Sequence, residues 1–132
     1  MPTINRFEEL EIWKKAKSLS LEIFNISNDG IFRRDVDLKS QINRAAGSVM
    51  DNIAEGFERG GKAEFINFLA IAKGSCAELR SQLYRAFDRK YIDIEKYSGL
   101  MAMAEELGRM IGGLMNYLNQ STIKGRKFKN RN

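Results

Sequence analysis

The feature that most constrains this chain is a long apolar seam near its C-terminal end, in which the spacing alternates between three and four residues. The seam consists of Tyr97, Leu100, Ala104, Leu107, Ile111, Leu114 and Leu118. This spacing places all of its members on one side of a helix that packs lengthwise against other helices. The only proline is Pro2, so no later helix is interrupted by a missing backbone donor. We therefore expect long, packed helices.

Three earlier segments show the same kind of periodicity. The first spans residues 8–27. The second is expected to begin at Asp37, which as N-cap would accept hydrogen bonds from first-turn amides, and to end near Gly56 or Arg59. The third follows a pair of glycines and extends for about 28 residues.

The fourth helix is expected to begin at Asp93, a second N-cap. The intervening loops, at about residues 28–36, 56–62 and 90–93, are short, and short links place consecutive helices antiparallel. The predicted fold class is therefore all-α, an up-down-up-down antiparallel four-helix bundle.

The 132 residues are expected to form one domain, a bundle over residues 1–119, followed by a flexible basic tail over 120–132. The tail contains five basic residues and no acidic one: Lys124, Arg126, Lys127, Lys129 and Arg131. The whole chain has 22 basic and 17 acidic residues, which leaves equal numbers of each in the bundle. The high isoelectric point is therefore a property of the tail.

Several chemistries are excluded by composition. The chain has no histidine and a single cysteine, Cys76, so catalytic units and zinc sites built on these residues cannot form. The pair Asp51 and Glu55 lacks an accompanying histidine ligand, and no phosphate-loop motif is present. We expect a non-enzymatic, cytoplasmic protein with no cofactor, metal, membrane span or small-molecule substrate.

One buried polar cluster is expected where the second and third helices form a hairpin. If the hairpin is centred near Arg59, Arg44 lies level with Ser75, and Gln41 and Glu78 lie one turn away. A buried arginine must be paired, so these four side chains are predicted to fix the register of the hairpin. Gly47 lies at the same level, where a close approach of the two backbones would compensate its low helix propensity.

Both long C-terminal helices carry a second apolar row. These rows are Met103, Met110 and Tyr117 on the fourth helix, and Ile66, Ala70, Ala77 and Tyr84 on the third. They either widen the core stripe or form a subunit interface, for which methionine and tyrosine are well suited.

Candidate nucleic-acid contacts are Arg59 and Lys62 in the glycine-rich loop, together with the five basic residues of the tail. Solvated positions are the simpler interpretation of each. Arg44 and Lys73 would add to a basic surface if an oligomer repeated it, although Lys73 alone is typical of an ordinary surface lysine.

Several segments resemble a known family. They are Phe7–Trp13, Gln41–Ser48, Asn52–Gly56, Glu64–Leu69 and Gly74–Leu79. These motifs are similar to those of the four-helix bundle proteins encoded in intervening sequences of bacterial 23S ribosomal RNA genes, and the resemblance covers residues 7–119. It implies a pentameric barrel of antiparallel bundles. A relative of the same architecture, the accessory protein of diversity-generating retroelements, engages a reverse transcriptase and RNA.

The resulting prediction is a homo-oligomeric, pentameric scaffold that binds RNA or a ribonucleoprotein. The alternative is a protein-binding adaptor that makes no contact with nucleic acid.

Overall fold

Four α-helices form most of residues 3–120, the part of the chain that the computed structural model describes. They are α1 (Glu11–Ser27), α2 (Val36–Glu58), α3 (Lys62–Asp88) and α4 (Ile94–Gln120). Short 3₁₀ helices at Phe7–Glu9 and Phe32–Arg34 precede α1 and α2, and this part of the chain contains no β-strand. The predicted all-α class with four helices is confirmed.

The helix starts differ in how well the sequence predicts them. Asp93 is confirmed as the cap of α4, because its carboxylate accepts from the amide of Lys96 at 2.8 Å. The prediction of Asp37 as the cap of α2 is wrong, since Asp35 holds that place and accepts from the amide of Leu38 at 3.1 Å. The apolar pattern first becomes visible at Leu38, whereas the helix already begins at the exposed Val36.

The four helices surround one apolar core. α2 packs most extensively on α3, α3 packs on α4, and α1 contacts both α2 and α4. The core includes an edge-to-face contact between Phe57 and Phe65, whose ring centroids are 5.8 Å apart. Cys76 lies in this core with 2% of its surface exposed.

Side-chain contacts give the relative directions of the helices. Ser48 of α2 meets Ser75 of α3, whereas Gln41, earlier in α2, meets Arg85, later in α3. These two helices therefore run antiparallel.

The same reasoning applies to the second pair. Near the start of α4, Tyr97 stacks on Phe87 of α3 with centroids 4.4 Å apart. Gly112, later in α4, lies against Lys73, earlier in α3, where an added Cβ would be 3.2 Å from the lysine Cε. Thus α3 and α4 are also antiparallel.

α2 and α3 approach each other closely at Gly56. A Cβ added there would lie 2.5 Å from the Cβ of Phe68 and 3.2 Å from Cδ1 of Phe65. The predicted close approach at Gly47 is wrong, because an added Cβ would meet nothing within 4 Å there or at Gly74. The tight backbone contact lies near the connecting turn instead.

The second apolar rows have different environments. Met103, Met110 and Tyr117 of α4 are partly buried against the core, so this row widens the core stripe. On α3, Ile66 also packs against the core, whereas Tyr84 is 53% exposed.

Candidate nucleic-acid interface

The polar contacts between α2 and α3 differ from the predicted cluster. The guanidinium of Arg85 donates to the side-chain oxygen of Gln41 at 2.7 Å. Ser75 and Ser48 share a hydrogen bond of 2.8 Å, and the Asn52 amide donates to Ser48 at 3.0 Å. The pair Gln41 and Arg85 is centred on residue 63, so the hairpin centre lies beyond the expected Arg59.

The interpretation of Arg44 as a buried arginine is wrong. Arg44 is exposed and lines an open groove with Phe24 and Val36 on the α1 side of α2. Two residues along an α-helix, the side-chain direction has rotated by about 200° around the helix axis. Ile42 faces the core, so Arg44, two residues later, points away from it. Glu78 is likewise exposed on α3.

A second network, which sequence reasoning missed, joins the start of α2 to the turn after α3. The carboxylate of Asp35 accepts from Arg89 at 2.7 Å and from the Tyr91 hydroxyl at 2.8 Å, besides capping α2. The backbone hydrogen bond from Leu38, followed by that from Tyr91, lowers the pKa of Asp35. The same contact with Asp35 raises the pKa of Tyr91. These groups are more than 50 residues apart in sequence, so no local pattern connects them.

The loop residue Arg59 is already engaged within the chain. Its guanidinium lies 2.8 Å from the carboxylate of Glu55 and stacks over the Phe68 ring at 5.0 Å from the centroid. The hydrogen bond with Glu55 raises the pKa of Arg59. An anion that binds Arg59 must therefore compete with Glu55. Lys62, the other loop candidate, is half-buried in the first turn of α3.

The five basic tail residues, Lys124, Arg126, Lys127, Lys129 and Arg131, lie outside the described residues. The residue described before them is Gln120, at the end of α4. Because α4 runs antiparallel to α3, Gln120 lies on the side of the molecule where α3 begins at Lys62. It is therefore at the end of the bundle that carries Arg59 and Lys62.

A basic groove, which sequence reasoning also missed, lies between α3 and α4. Its charged lining consists of Lys73, Arg80, Arg109 and one carboxylate, Glu105. The remaining lining is made of small residues, namely Cys76, Ala77, Ala104 and Gly108, around a cavity of about 330 Å³. The seven-residue spacing of Lys73 and Arg80 is the only sequence signal for this groove, since Arg109 joins them only after the helices pair.

An apolar patch is exposed on α1 and on the segment that leads into α2. It consists of Leu21, Phe24, Ile31 and Val36, of which Phe24 is 56% and Val36 69% exposed. Phe24 and Val36 line the same groove, which has a volume of about 570 Å³. Large apolar side chains clustered in this way mark interaction surfaces more often than monomer surfaces.

Cys76 is a weak nucleophile in this fold. Burial raises the pKa of the Cys76 thiol to about 11, so the nucleophilic thiolate is scarce at neutral pH. Within residues 3–120, no three histidine, cysteine, aspartate or glutamate side chains are grouped to hold a metal ion. No helix in that range is long and apolar enough to cross a bilayer.

These features define a class: a small four-helix protein with an exposed apolar patch, a basic groove and a basic C-terminal segment. More specifically, the chain belongs to the 23S rRNA-intervening sequence protein family, whose sequence profile matches residues 8–113. This confirms the resemblance carried by its motifs.

A solved structure supports the same fold. It is a protein of unknown function from the S23 ribosomal protein family of Bacteroides thetaiotaomicron, and it superposes with a TM-score of 0.73 at 21% sequence identity. The alignment covers 79% of this chain and 97% of the Bacteroides chain. At this identity the likeness concerns the fold alone. A comparison with curated proteins gives no match.

Proposed function

We propose that this protein is a non-enzymatic scaffold that assembles with copies of itself and binds RNA, free or within a ribonucleoprotein. Each subunit is an up-down-up-down bundle, as the antiparallel contacts of α2 with α3 and of α3 with α4 favour. The observation that carries the RNA proposal is that Gln120, which the five basic residues follow in sequence, lies at the end of the bundle that holds Arg59 and Lys62. The family description, which refers to 23S rRNA, supports the same partner.

Self-assembly is supported by the apolar patch. The patch has four large apolar side chains that are each more than half exposed: Leu21, Phe24, Ile31 and Val36. Contiguous exposed apolar patches mark interaction sites, and a second copy is the simplest way to cover this one. In such an assembly, the patch of one subunit contacts a different surface of the next copy. Repeating this contact generates a closed ring when the rotations between successive subunits add up to a full turn. We propose five subunits, in line with the family resemblance.

Sedimentation of the full chain tests the assembly. The expected particle has five times the 15.1 kDa mass of one chain. Phe24→Asp should dissociate it, because a carboxylate in the patch would be desolvated on assembly. Ser81→Asp, at an exposed position of α3, is the control that adds the same charge outside the patch. A monomer at every protein concentration would contradict the proposal.

Fluorescence anisotropy with a labelled structured RNA tests the nucleic-acid partner. Binding through phosphates weakens steeply with salt. The logarithm of the binding constant falls linearly with the logarithm of the salt concentration, with a slope of about 0.9 per phosphate contacted on a duplex. Deletion of residues 121–132 removes five positive charges and should flatten this slope by up to about 4.5. Equal affinity and slope without the tail would move the contact onto the helices, and absence of binding at low salt would refute an RNA partner.

The alternative function is a protein-binding adaptor, which the apolar patch also favours. Binding of a partner protein to Phe24 and Val36 would be nearly independent of salt, and Phe24→Asp would abolish it. The scaffold proposal includes a cytoplasmic location, in line with a single cysteine and an RNA partner. It also includes the absence of catalysis, in line with the lack of histidine and the protonated Cys76.

A further inference from the structure

The basic groove between α3 and α4 contains a buried hydrogen-bond donor without an acceptor. The Nε–H of Arg80 is shielded from solvent and has no hydrogen-bond partner among residues 3–120. Native proteins rarely leave such a donor unsatisfied. A bound ligand or an ordered water normally supplies the acceptor. Arg80 itself lines the groove, so we expect an acceptor bound there to satisfy this donor after a small rotation of the guanidinium.

The charges around this donor favour an anion. Lys73, Arg80 and Arg109 line the groove with a single carboxylate, that of Glu105. None of these four side chains forms an ion pair with another residue of the described range. Lys73 and Arg80 lie on α3 about one turn before and one turn after Cys76, and both positive charges oppose the rise in the pKa of its thiol that burial causes. Three cations and one carboxylate leave the groove with an excess of positive charge.

The shape of the groove allows a ligand to approach the helix backbones. Ala77, Ala104 and Gly108 present no side-chain atom beyond Cβ, and an added Cβ at Gly108 would meet only the Cβ of Cys76, at 3.9 Å. The stem of Lys73 lies along Gly112, which places the lysine against α4. Small residues flanked by cations resemble the surroundings that proteins use for phosphate groups.

We propose that the basic groove binds a phosphate group, with the Arg80 guanidinium as its central donor and Lys73 and Arg109 on either side. A phosphate fits better than a single carboxylate because it offers more acceptor oxygens to two guanidinium groups and an ammonium. Two sources can supply the phosphate group, an RNA backbone and free phosphate. For the RNA backbone, the inference rests on the proposed function. Arg109 lies 11 residues before Gln120, or about 16 Å along α4, so one RNA strand can span the groove and the end of α4.

The test compares two variants of the full chain that each lose one positive charge. Arg80→Met removes the donors and keeps an unbranched apolar stem, whereas Lys96→Met removes an exposed charge in the first turn of α4, outside the groove. In ¹⁵N–¹H NMR spectra, inorganic phosphate titrated against chloride at matched ionic strength should shift the Arg80 Nε–H signal of the wild type. It should raise the melting temperature of the wild type and of Lys96→Met, but not that of Arg80→Met.

The second measurement uses the labelled RNA. Arg80→Met should reduce the salt slope of RNA binding by about one and weaken affinity, while Lys96→Met should leave the slope unchanged. Arg109→Gln is the third variant. Because Arg109 is exposed, its loss should preserve the fold and still weaken phosphate binding, which keeps the test informative if Arg80→Met is unstable.

The outcomes separate this inference from the proposed function. Arg80-dependent binding of inorganic phosphate without RNA binding supports the groove and refutes the RNA partner. RNA binding that depends on the tail, with no effect of Arg80→Met on RNA or phosphate, refutes the groove and keeps the RNA partner. If Arg80→Met changes the sedimentation coefficient and leaves phosphate binding intact, the groove holds an acidic side chain of another copy and the inference is overturned.

Discussion

Two glycines of α2 are predicted to respond in opposite ways to replacement by alanine. At Gly56, an added Cβ would lie 2.5 Å from the Cβ of Phe68, far inside van der Waals contact. At Gly47, the same methyl group would meet nothing within 4 Å. The two substitutions share one helix and one chemical change, so Gly47→Ala is the matched control for Gly56→Ala.

The expected magnitudes follow from two effects. Alanine is more favourable than glycine inside a helix by about 1 kcal/mol, so Gly47→Ala should raise the free energy of unfolding by about that amount. At Gly56 this gain is opposed by overpacking, which costs about 1–3 kcal/mol in a well-packed interior. The contacted atom, Phe68 Cβ, is bonded to the α3 backbone and cannot rotate away, so the cost should be near the upper limit. A net loss of about 2 kcal/mol is expected, which separates the two variants by about 3 kcal/mol.

Urea unfolding followed by circular dichroism at equal protein concentrations measures this difference. The denaturant dependence should be the same for both variants, so that the midpoints alone report stability. If Gly56→Ala is as stable as Gly47→Ala, the close approach of α2 and α3 at Gly56 is refuted. A loss of stability in Gly47→Ala would instead show that the open space beside Gly47 is occupied, for example by a second subunit.

Other predictions concern ionisable and polar groups. Folding lowers the pKa of Asp35, so the ionised carboxylate stabilises the folded state above its ordinary pKa of 3.8, and this stabilisation is lost as pH falls through the lower pKa of the folded state. Asp35→Asn should therefore show a shallower loss of stability below pH 3.8 in acid unfolding. The Cys76 thiol, with a pKa of about 11, should react slowly with a disulfide reagent at pH 8 and quickly in urea, and equal rates would contradict its burial. Gln41→Ala should destabilise the protein by about 1 kcal/mol through loss of the Arg85 hydrogen bond, and a double-mutant cycle with Arg85→Ala should show coupling.

Much of the helical content follows from local pattern. The seam from Tyr97 to Leu118 lies within α4, and Asp93 caps that helix as its position before the seam indicates. These predictions succeed because a 3.6-residue period and a capping side chain act within one or two turns of the same helix. The same locality explains the error at Asp37, since an exposed residue such as Val36 can be helical without taking part in the apolar pattern.

Contacts between helices do not follow from local sequence pattern. The sequence alone determined which face of each helix is apolar, and with its motifs it determined the family. Only the tertiary structure decided that Gln41 pairs with Arg85, that Gly56 rather than Gly47 is the point of close approach, and that Asp35 joins Tyr91. The basic groove has the same origin, because Arg80 and Arg109 meet through the pairing of α3 with α4. The physical reason is that periodicity sets a helix's rotation about its own axis, whereas its axial offset from a neighbour depends on how side chains from distant segments interdigitate.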